Sequence, residues 1–423
     1  MLVLLLLFSV AVNISTSYGV VYGPLSWKKG FAIAGVALNL SILVFFKYSP
    51  LFARTFLPQA SSLGSFLLTL PLPIGISFFT FQGISLVVDV YKEKYVSNQE
   101  LVPRSFYQHA KQILFFKGFF PQLISGPIVK AHDFIPQIGN KKWEDIPWPA
   151  VFKNLVTGYF LKMVVADNLK DFTFWIAFPY FQDFSSFSLL VMLFGYSCQI
   201  FADFAGYSLI AIGLARLFGY HFPDNFCFPY IATSFRTFWK RWHISLSSFL
   251  MEYLYIPLGG NRKGKFRTYL NLLLVMFLGG LWHGAAWSYA VWGLFHGLAL
   301  CADRFLGNRI TLPPGRVSRV GKGLLVFSFV TLAWLLFKLP DFRQVLQYLS
   351  CLIHNVRKGE RSDLITYLLL YSSPVVAYHA AYLLRHKTFF QRIRKLEYAV
   401  YGIMLFLILV NSGSSGAFIY FQF

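Results

Sequence analysis

The amino-acid sequence predicts an all-α, polytopic membrane protein, because it has too few polar residues to coat a soluble domain of its size. Of its 423 residues, 56% are apolar and 13% are charged, whereas about a quarter of a soluble protein is charged. Apolar segments recur along the chain, with approximate spans 2–22, 31–48, 66–91, 106–124, 151–166, 186–219, 268–282, 285–306, 323–339, 362–384 and 397–411. Several spans fall short of the ~20 residues that cross a bilayer core, and short segments at that depth line cavities. We therefore expect about 10–11 tilted, partly re-entrant helices in one domain over 1–423, with core motifs at 199–306.

Three further features exclude other classes of protein. Residues 1–12 lack a basic region and a small-residue cleavage site, so they predict a first membrane helix and not a cleaved signal. No internal repeat is visible, which disfavours a transporter built from inverted repeats. The four cysteines form no CxxC pair, so they predict neither a disulfide framework nor a zinc ribbon.

The net charge of +21 predicts membrane orientation and not nucleic-acid binding. The basic residues cluster in short loops between apolar spans, and such loops stay on the cytoplasmic side. Anionic lipid or an anionic cytoplasmic ligand can also use them. The three loops carry Arg262, Lys263, Lys265 and Arg267; Arg309, Arg316, Arg319 and Lys322; and Arg385, Lys387, Arg392, Arg394 and Lys395.

The segment "LGGLWHGAAW", from Leu278 to Trp287, places a histidine inside a long apolar region. His283 lies 16 residues after Arg267, or about 24 Å of helix, and 21 residues before Arg304, or about 31 Å. If both basic ends are cytoplasmic, the chain turns back near His283 deep in the membrane, and the neighbouring glycines allow a bend. Such a polar turn requires a cavity, and a neutral imidazole there can take a proton from a hydroxyl or thiol.

Residues 234–256 predict a helix that lies at an interface. Phe235, Trp239, Trp242 and Leu246 share one helix face, and Arg236, Lys240 and His243 share the adjacent face. A helix with one polar and one apolar face suits a membrane surface or partial entry into the protein, and not surrounding lipid.

Three other kinds of site compete for these residues. Zinc bound by His243, His283 and His296 is disfavoured, since no HExxH or cysteine pair is present, so we predict no metal.

"GGNRKGKF", from Gly259, resembles a P-loop, but Phe266 replaces the magnesium-binding hydroxyl and no parallel sheet is predicted. An ordinary basic loop is the favoured interpretation, and binding of another donor's phosphates stays open. The sequence has no G-x-S-x-G serine elbow, and "NSGSSG" is typical of a turn.

Asp203 and Tyr207 lie one helical turn apart in "QIFADFAGYSLIAIGLARLFGY", beside Gly206. A carboxylate inside a membrane segment is a candidate functional residue. We favour a hydrogen bond between helices over direct chemistry for this pair.

Several motifs together resemble the membrane-bound O-acyltransferase (MBOAT) family, and within it the membrane subunits that O-acetylate bacterial alginate and peptidoglycan. They are "LPIGISFFTFQGISLVVDVY" from Leu72, "FFPQLISGPIVK" from Phe119, the segment from Gln199 quoted above, "FWKRWHISLSSFLMEYLYIPLGGNRKG" from Phe238, "LGGLWHGAAWSYAVWGLFHGL" from Leu278 and "FIYFQF" from Phe418. The resemblance covers most of the chain from about residue 30. Relatives usually carry more hydrophobic sequence before "LNLSILVFFKY", and often show Arg-Asp where Met251 and Glu252 stand here.

The resemblance implies tilted helices around a central tunnel in the bacterial inner membrane. It implies that an acyl group, usually acetyl, arrives from acyl-CoA in the cytoplasm and passes toward an acceptor outside, commonly with a periplasmic SGNH-type acetyltransferase partner. Acetyl-CoA is then a donor substrate, no cofactor is bound, and the acceptor is a polysaccharide such as alginate or peptidoglycan. A flippase for a lipid-linked saccharide and a non-catalytic scaffold for the periplasmic enzyme remain alternatives.

The family's near-invariant histidine maps onto His283 and its second motif histidine onto His243. We expect His283 to be the general base or to position the reactants, and His243 to assist from the facing side. The predicted supporting residues of the tunnel and motifs are Asp203, Tyr207, Trp239, Trp242, Trp282 and Gly284. The candidates for contacts with acyl-CoA phosphates are Arg241, Arg262, Lys263 and Lys265.

Overall fold

The computed structural model describes residues 2–58, 61–93, 97–123, 126–307, 315–387 and 396–414. These residues form helices and connecting loops without strands, so the predicted all-α class is confirmed. The helices are α1 Leu2–Tyr22, α2 Lys28–Leu43, α3 Ser49–Phe56, α4 Ser62–Thr69, α5 Ile76–Lys92, α6 Asn98–Leu101, α7 Phe106–Gly118, α8 Phe120–Leu123, α9 Ala131–Phe134, α10 Trp148–Tyr159, α11 Asp167–Thr173, α12 Ser186–Leu217, α13 Phe235–Trp239, α14 Ile244–Leu250, α15 Gly264–His283, α16 Trp287–Gly307, α17 Arg316–Lys338, α18 Phe342–His354, α19 Ser362–Leu384 and α20 Glu397–Val410. The motif Phe418–Phe423 and the basic residues Arg309, Arg392, Arg394 and Lys395 lie outside the described residues.

Several helices suit a bilayer, and the chain is a multi-pass membrane protein. Among the described residues, five helical stretches are long and apolar enough to cross a membrane: Val3–Tyr22, Leu25–Phe56, Ser186–Leu217, Arg316–Lys338 and Ser362–Leu384. Four of them have outer surfaces rich in exposed leucine, valine and phenylalanine, which lipid tails solvate well, while Ser186–Leu217 is mostly buried. The count of 10–11 membrane helices and the central tunnel stay predictions.

Three π-helical segments, Val44–Tyr48, Phe160–Ala166 and Met251–Tyr255, continue or follow α-helices. A π-helix holds an extra residue per turn and often marks a functional position. Two predicted spans are also interrupted: 66–91 breaks between α4 and α5, and 106–124 breaks at Phe119.

Backbone contacts group the described residues into two compact units. The first contains residues 1–151, 211–223 and 251–253. Its helices α1, α2 and α5 pack through small residues, and a Cβ on Gly83 would meet Asn13 and Asn39 within 2.7 Å. Asn13 and Asn39 exchange side-chain hydrogen bonds of 3.1 Å in both directions, and both are fully buried.

The second unit contains residues 152–210, 224–250 and 254–423. Its core is a large aromatic and aliphatic cluster contributed by α12, the 226–250 segment, α16, α17 and α19. Trp242, Trp292 and Trp334 are among its largest fully buried side chains. The three candidate histidines His243, His283 and His296 all belong to this unit.

Candidate active site

His283 is the last residue of α15, where the chain turns into α16. The turn predicted near His283 from Gly279, Gly280 and Gly284 is therefore present, and it lies at Gly284, because α15 continues through Gly279 and Gly280. Gly280 instead permits close packing of α15 on α16. A Cβ on Gly280 would collide with the Tyr289 carbonyl oxygen and lie 2.9 Å from the Gly293 Cα.

His243 lies at a break between α13 and α14, so the single helix predicted over 234–256 is wrong. Its φ of +44° is in the left-handed region, which non-glycine residues rarely adopt outside turns and functional sites. The side chain of Ser234 caps α13 by accepting from the Thr237 N–H. The Ile244 N–H donates to the Asn225 carbonyl oxygen, which draws the chain away from the helix path.

Asn225 determines which nitrogen of His243 carries the proton. The Asn225 Oδ1 accepts from the Ser245 N–H at 3.3 Å and the Ser245 hydroxyl at 2.9 Å, while its Nδ2 donates to the Ser208 hydroxyl at 3.0 Å. Because this oxygen is an acceptor, the His243 Nδ1 at 3.1 Å must be the donor. The lone pair of neutral His243 therefore resides on Nε2, which has no hydrogen-bond partner among the described residues.

The two motif histidines lie together in the buried core of the second unit. Their ring centroids are 6.2 Å apart, and their exposed fractions are 0% for His243 and 3% for His283. Trp282 contacts both rings, at 5.9 Å and 5.1 Å between centroids. Phe204 of α12 lies 4.6 Å from His243, and Trp292 of α16 lies 5.2 Å from His283. The sequence predicted both histidines, and the structure brings them into one site.

A cluster of buried indole N–H groups adjoins this pair through Trp292, which touches His283. The Nε1 atoms of Trp239, Trp292 and Trp334 have no acceptor among the described residues. Trp292 touches the other two rings at 5.8 Å and 5.7 Å, and His296 at 4.7 Å. Buried donors are normally satisfied, so the cluster suits a ligand that brings an oxygen acceptor. The sequence singled out Trp239 and Trp242, while Trp292 and Trp334 were missed, because nothing in their local pattern distinguishes them from other apolar-helix tryptophans.

Asp203 and Tyr207 lie on a different face of α12 from Phe204, which contacts His243. The Asp203 carboxylate accepts from the Lys162 ammonium at 2.8 Å, and the Lys162 Nζ lies 5.3 Å from the centroid of the Tyr207 ring. This contact is an ion pair between α12 and the segment Phe160–Ala166, and the structural role favoured from the sequence for Asp203 and Tyr207 stays a prediction. The partner of Asp203, Lys162, was missed, although a lysine inside the apolar span 151–166 was a visible signal.

The four basic candidates fall in two places. Arg241 donates to the backbone carbonyls of Cys227 and Phe228 and lies over the Tyr382 ring. Arg262, Lys263 and Lys265 are exposed around the start of α15, which is about 28 Å of helical rise from His283. No described contact joins Arg241 to that loop.

A metal-ligand cluster was also missed from the sequence, in the first unit. One ligand atom each from Asp89, His132 and Glu252 lies within 4.8 Å of the others. Lys130 pairs with Glu252 at 2.7 Å, and the Tyr253 hydroxyl donates to Asp89 at 2.7 Å. Lys130 thus supplies a positive charge beside Glu252, which the neighbouring Met251 does not.

Protonation of His132 disfavours a metal ion in this cluster. Burial lowers the pKa of His132, but the hydrogen bond and charge of Asp89, with neighbouring carboxylates, outweigh burial and raise it above its usual value. The His132 Nδ1–H donates to Asp89 at 2.8 Å, so the carboxylate favours the protonated ring, and a protonated nitrogen cannot ligate a metal. The cluster therefore suits an ion-pair network better than a cation site.

Comparison with known proteins identifies the family of the chain. Residues 60–340 match the model of the membrane-bound O-acyltransferase family. The chain is 31% identical to a peptidoglycan O-acetyltransferase of Helicobacter pylori, over 95% of this chain and 84% of the relative. It is 38% identical to a probable alginate O-acetylase of Pseudomonas putida, over 72% of this chain and 61% of the relative. It is 26% identical to a teichoic acid D-alanyltransferase of Bacillus subtilis, over 64% of this chain and 69% of the relative. The chain therefore belongs to the membrane-bound O-acyltransferase family and is an acyltransferase.

Proposed function

We propose that this protein passes an acetyl group from cytoplasmic acetyl-CoA across the bacterial inner membrane for O-acetylation of an extracytoplasmic polysaccharide. The names of its relatives support the acceptor class, since they act on peptidoglycan and alginate. The single observation that carries the proposal is the buried pair of imidazoles, 6.2 Å apart. Two bases at this depth suit a transfer between a thioester and a hydroxyl.

The proposed reaction moves one proton and one acyl group. His283 takes the proton from the acceptor hydroxyl, while the oxygen of that hydroxyl forms a bond to the acetyl carbonyl carbon. The carbon–sulfur bond then breaks, and the proton passes to the leaving sulfur, which departs as the free thiol of coenzyme A. His243, held with its lone pair on Nε2 by Asn225, orients the hydroxyl from the facing side.

The indole N–H groups supply the electrostatic part of the proposal. The carbonyl oxygen becomes an anion in the tetrahedral intermediate, and preorganised donors in a dry site stabilise it strongly. Trp292 touches His283 and has an N–H without an acceptor among the described residues. It is the donor best placed beside the reacting group.

On the donor side, Arg262, Lys263 and Lys265 are proposed to attract the coenzyme A phosphates at the cytoplasmic entrance. Their exposure on a basic loop supports this role. A periplasmic SGNH-type partner is proposed to carry the acetyl group onward to the polysaccharide.

The test measures release of coenzyme A and transfer of label from radiolabelled acetyl-CoA by protein in nanodiscs. It uses a glycan acceptor and is repeated with a periplasmic partner. We compare wild type with His283→Ala and His243→Ala. His379→Gln is the control, because His379 is buried in the same unit and bonds only backbone groups in the described hydrogen bonds. Both site variants should lose transfer at least about 100-fold, while the control and membrane insertion persist.

Two results would count against the proposal. Normal acetylation by His283→Ala would remove the catalytic assignment and leave a scaffold role. An absence of turnover by wild type with its partner present would favour a flippase. A matched assay with a D-alanyl thioester donor would show whether the acyl group is an amino acid, as the teichoic acid relative suggests.

A further inference from the structure

His296 is a buried histidine of the second unit that the proposed reaction does not use. It lies on α16, four residues after Trp292, and its exposed fraction is 0%. Neither of its ring nitrogens has a hydrogen-bond partner among the described residues. A neutral imidazole carries one N–H donor and one lone pair. The fold therefore leaves one donor and one acceptor of His296 available to a ligand.

Aromatic side chains form a box around this imidazole. Trp292 and Trp239 lie 4.7 Å and 5.2 Å from His296 between ring centroids, and Phe329 and Phe238 lie at 5.8 Å and 6.2 Å. The indole N–H of Trp239 also lacks an acceptor in the described part of the chain. Buried polar groups are normally paired, so the box suits a flat ligand group that has apolar neighbours and both donates and accepts a hydrogen bond.

Trp239 connects the box to the surface of the unit. Part of its side chain is exposed, although its indole nitrogen is buried. The Arg236 N–H donates to the Asp303 carboxylate at 3.1 Å, so α13 lies beside the end of α16 that carries Arg304. Arg236 and Lys240, in the same segment as Trp239, are exposed. A rotation of the Trp239 ring would open the box toward this basic surface, which we expect to be cytoplasmic.

The box lies one aromatic ring away from the reacting histidine. Trp292 contacts His283 at 5.2 Å and His296 at 4.7 Å. A Cβ on Gly297 would lie 3.2 Å from the Met276 Cβ, and Met276 precedes His283 in α15 by about 10 Å of helical rise. His296 is therefore displaced from His283 toward the basic start of α15, the side from which a cytoplasmic acyl donor would arrive.

The pantetheine arm of an acyl donor has the matching chemistry. In this arm, four bonds, or about 5 Å, separate the thioester carbonyl carbon from the nitrogen of the first amide. This length is close to the contact distances that join His283, Trp292 and His296. A secondary amide is flat, accepts at its oxygen and donates at its N–H, and in this arm methylene groups flank it on both sides.

We propose that His296 and Trp239 bind an amide of the pantetheine arm of the acyl donor. This inference rests on the proposed function, in which that arm brings the acetyl thioester to His283. The amide oxygen accepts from the Trp239 indole, and the amide N–H donates to the lone pair of His296. Phe238 and Phe329 pack against the methylene groups. Coenzyme A and the pantetheine group of a carrier protein present the same amide, so either molecule can supply it.

The first experiment compares two small acetyl donors with nanodisc-embedded protein. S-acetyl-N-acetylcysteamine carries the amide, whereas its ester analogue, in which oxygen replaces the N–H, cannot donate. Wild type should favour the amide donor about 10- to 100-fold in kcat/KM, because the ester leaves the His296 lone pair unpaired. His296→Phe keeps a ring in the box without its nitrogens and should remove this preference. His379→Gln is the matched control and should retain it.

Three results would overturn the proposal. Equal kcat/KM of wild type for the two donors would show that no protein group recognises the amide N–H. A loss in His296→Phe that is equal for both donors would show that His296 does not act on the amide. His296→Phe should also melt no lower than wild type, because it removes no described hydrogen bond; a lower melting temperature with an unchanged donor preference would assign His296 a structural role.

The second experiment measures binding without acetyl transfer. Pantetheine alone is added to protein labelled with ¹⁵N-histidine, and the His296 NMR signal is identified by its absence from His296→Phe. This signal should shift in wild type, and Trp239→Phe should weaken pantetheine binding about tenfold. A signal that does not shift at saturating pantetheine would overturn the proposal.

The binding result also separates this site from the proposed function. If wild type transfers no acetyl group while the His296 signal shifts, the proposed function fails and the amide site stands. Displacement of pantetheine by coenzyme A or by a pantetheine-bearing carrier protein then shows which molecule supplies the arm.

Discussion

The hydrogen bond from His243 to Asn225 gives the sharpest prediction of the site. Asn225→Leu removes the acceptor of the His243 Nδ1–H and of both Ser245 donors. A buried N–H left without an acceptor costs about 1–3 kcal/mol. The tautomer with its lone pair on Nε2 loses that amount, and at ~1.36 kcal/mol for each factor of ten, its ratio to the other tautomer falls roughly 5- to 150-fold. We expect kcat to fall by at most the same factor.

The assay combines acetyl-transfer kinetics with ¹⁵N NMR of histidine-labelled protein, which reports the tautomer directly. Ser208→Ala is the control, because it removes only the partner of the Asn225 amide nitrogen. It should leave kcat within about twofold, because the Asn225 Oδ1 that accepts from the His243 Nδ1–H stays in place. If Asn225→Leu keeps wild-type kcat, or if wild-type His243 carries its proton on Nε2, the tautomer argument is refuted.

Three further predictions concern other parts of the molecule. Trp292→Phe keeps a ring in the site but deletes the N–H, so kcat should fall about 100-fold; a change in KM alone would contradict the donor role. Gly280→Ala forces α15 away from α16 and should cost about 1–3 kcal/mol in thermal unfolding, whereas Gly402→Ala, with open space around its Cβ, should not; equal melting temperatures would refute this. The raised pKa of His132 stabilises the fold fully below its unfolded value of about 6.5, and this stability is lost as pH rises through the folded value. Asp89→Asn should flatten that dependence in pH-resolved unfolding, and an unchanged slope would exclude the pair as its source.

Long apolar helices were predictable because nearly every residue along them is apolar, so a continuous run of sequence is enough to identify them. The predicted span 362–384 coincides with α19, and 186–219 differs from α12 by two residues. The amphipathic helix α18 was missed, because its alternating polar residues lower the mean hydropathy that defines a span. Residues 234–256 failed as one helix because the break depends on the distant Asn225, which no local pattern reveals.

The site was predictable in its residue types and not in its contacts. His243 and His283 stood out because imidazole is rare in apolar segments, but their separation depends on how α14 and α15 pack. The partners of Asp203 and Asp89, namely Lys162 and His132, are 41 and 43 residues away in the chain. Periodicity along one helix carries no information on such pairings.

The π-helical segments make the positions of three charged residues sensitive to the deletion of a single residue. Each of the three described segments contains one charged residue, and these are Lys47, Lys162 and Glu252. A π-turn is an α-turn with one inserted residue, and an insertion rotates everything beyond it by about 100° around the helix axis. Deleting one residue before the charged residue of such a segment would rotate its side chain away from its present partner, which is Ser77 for Lys47, Asp203 for Lys162 and Lys130 for Glu252.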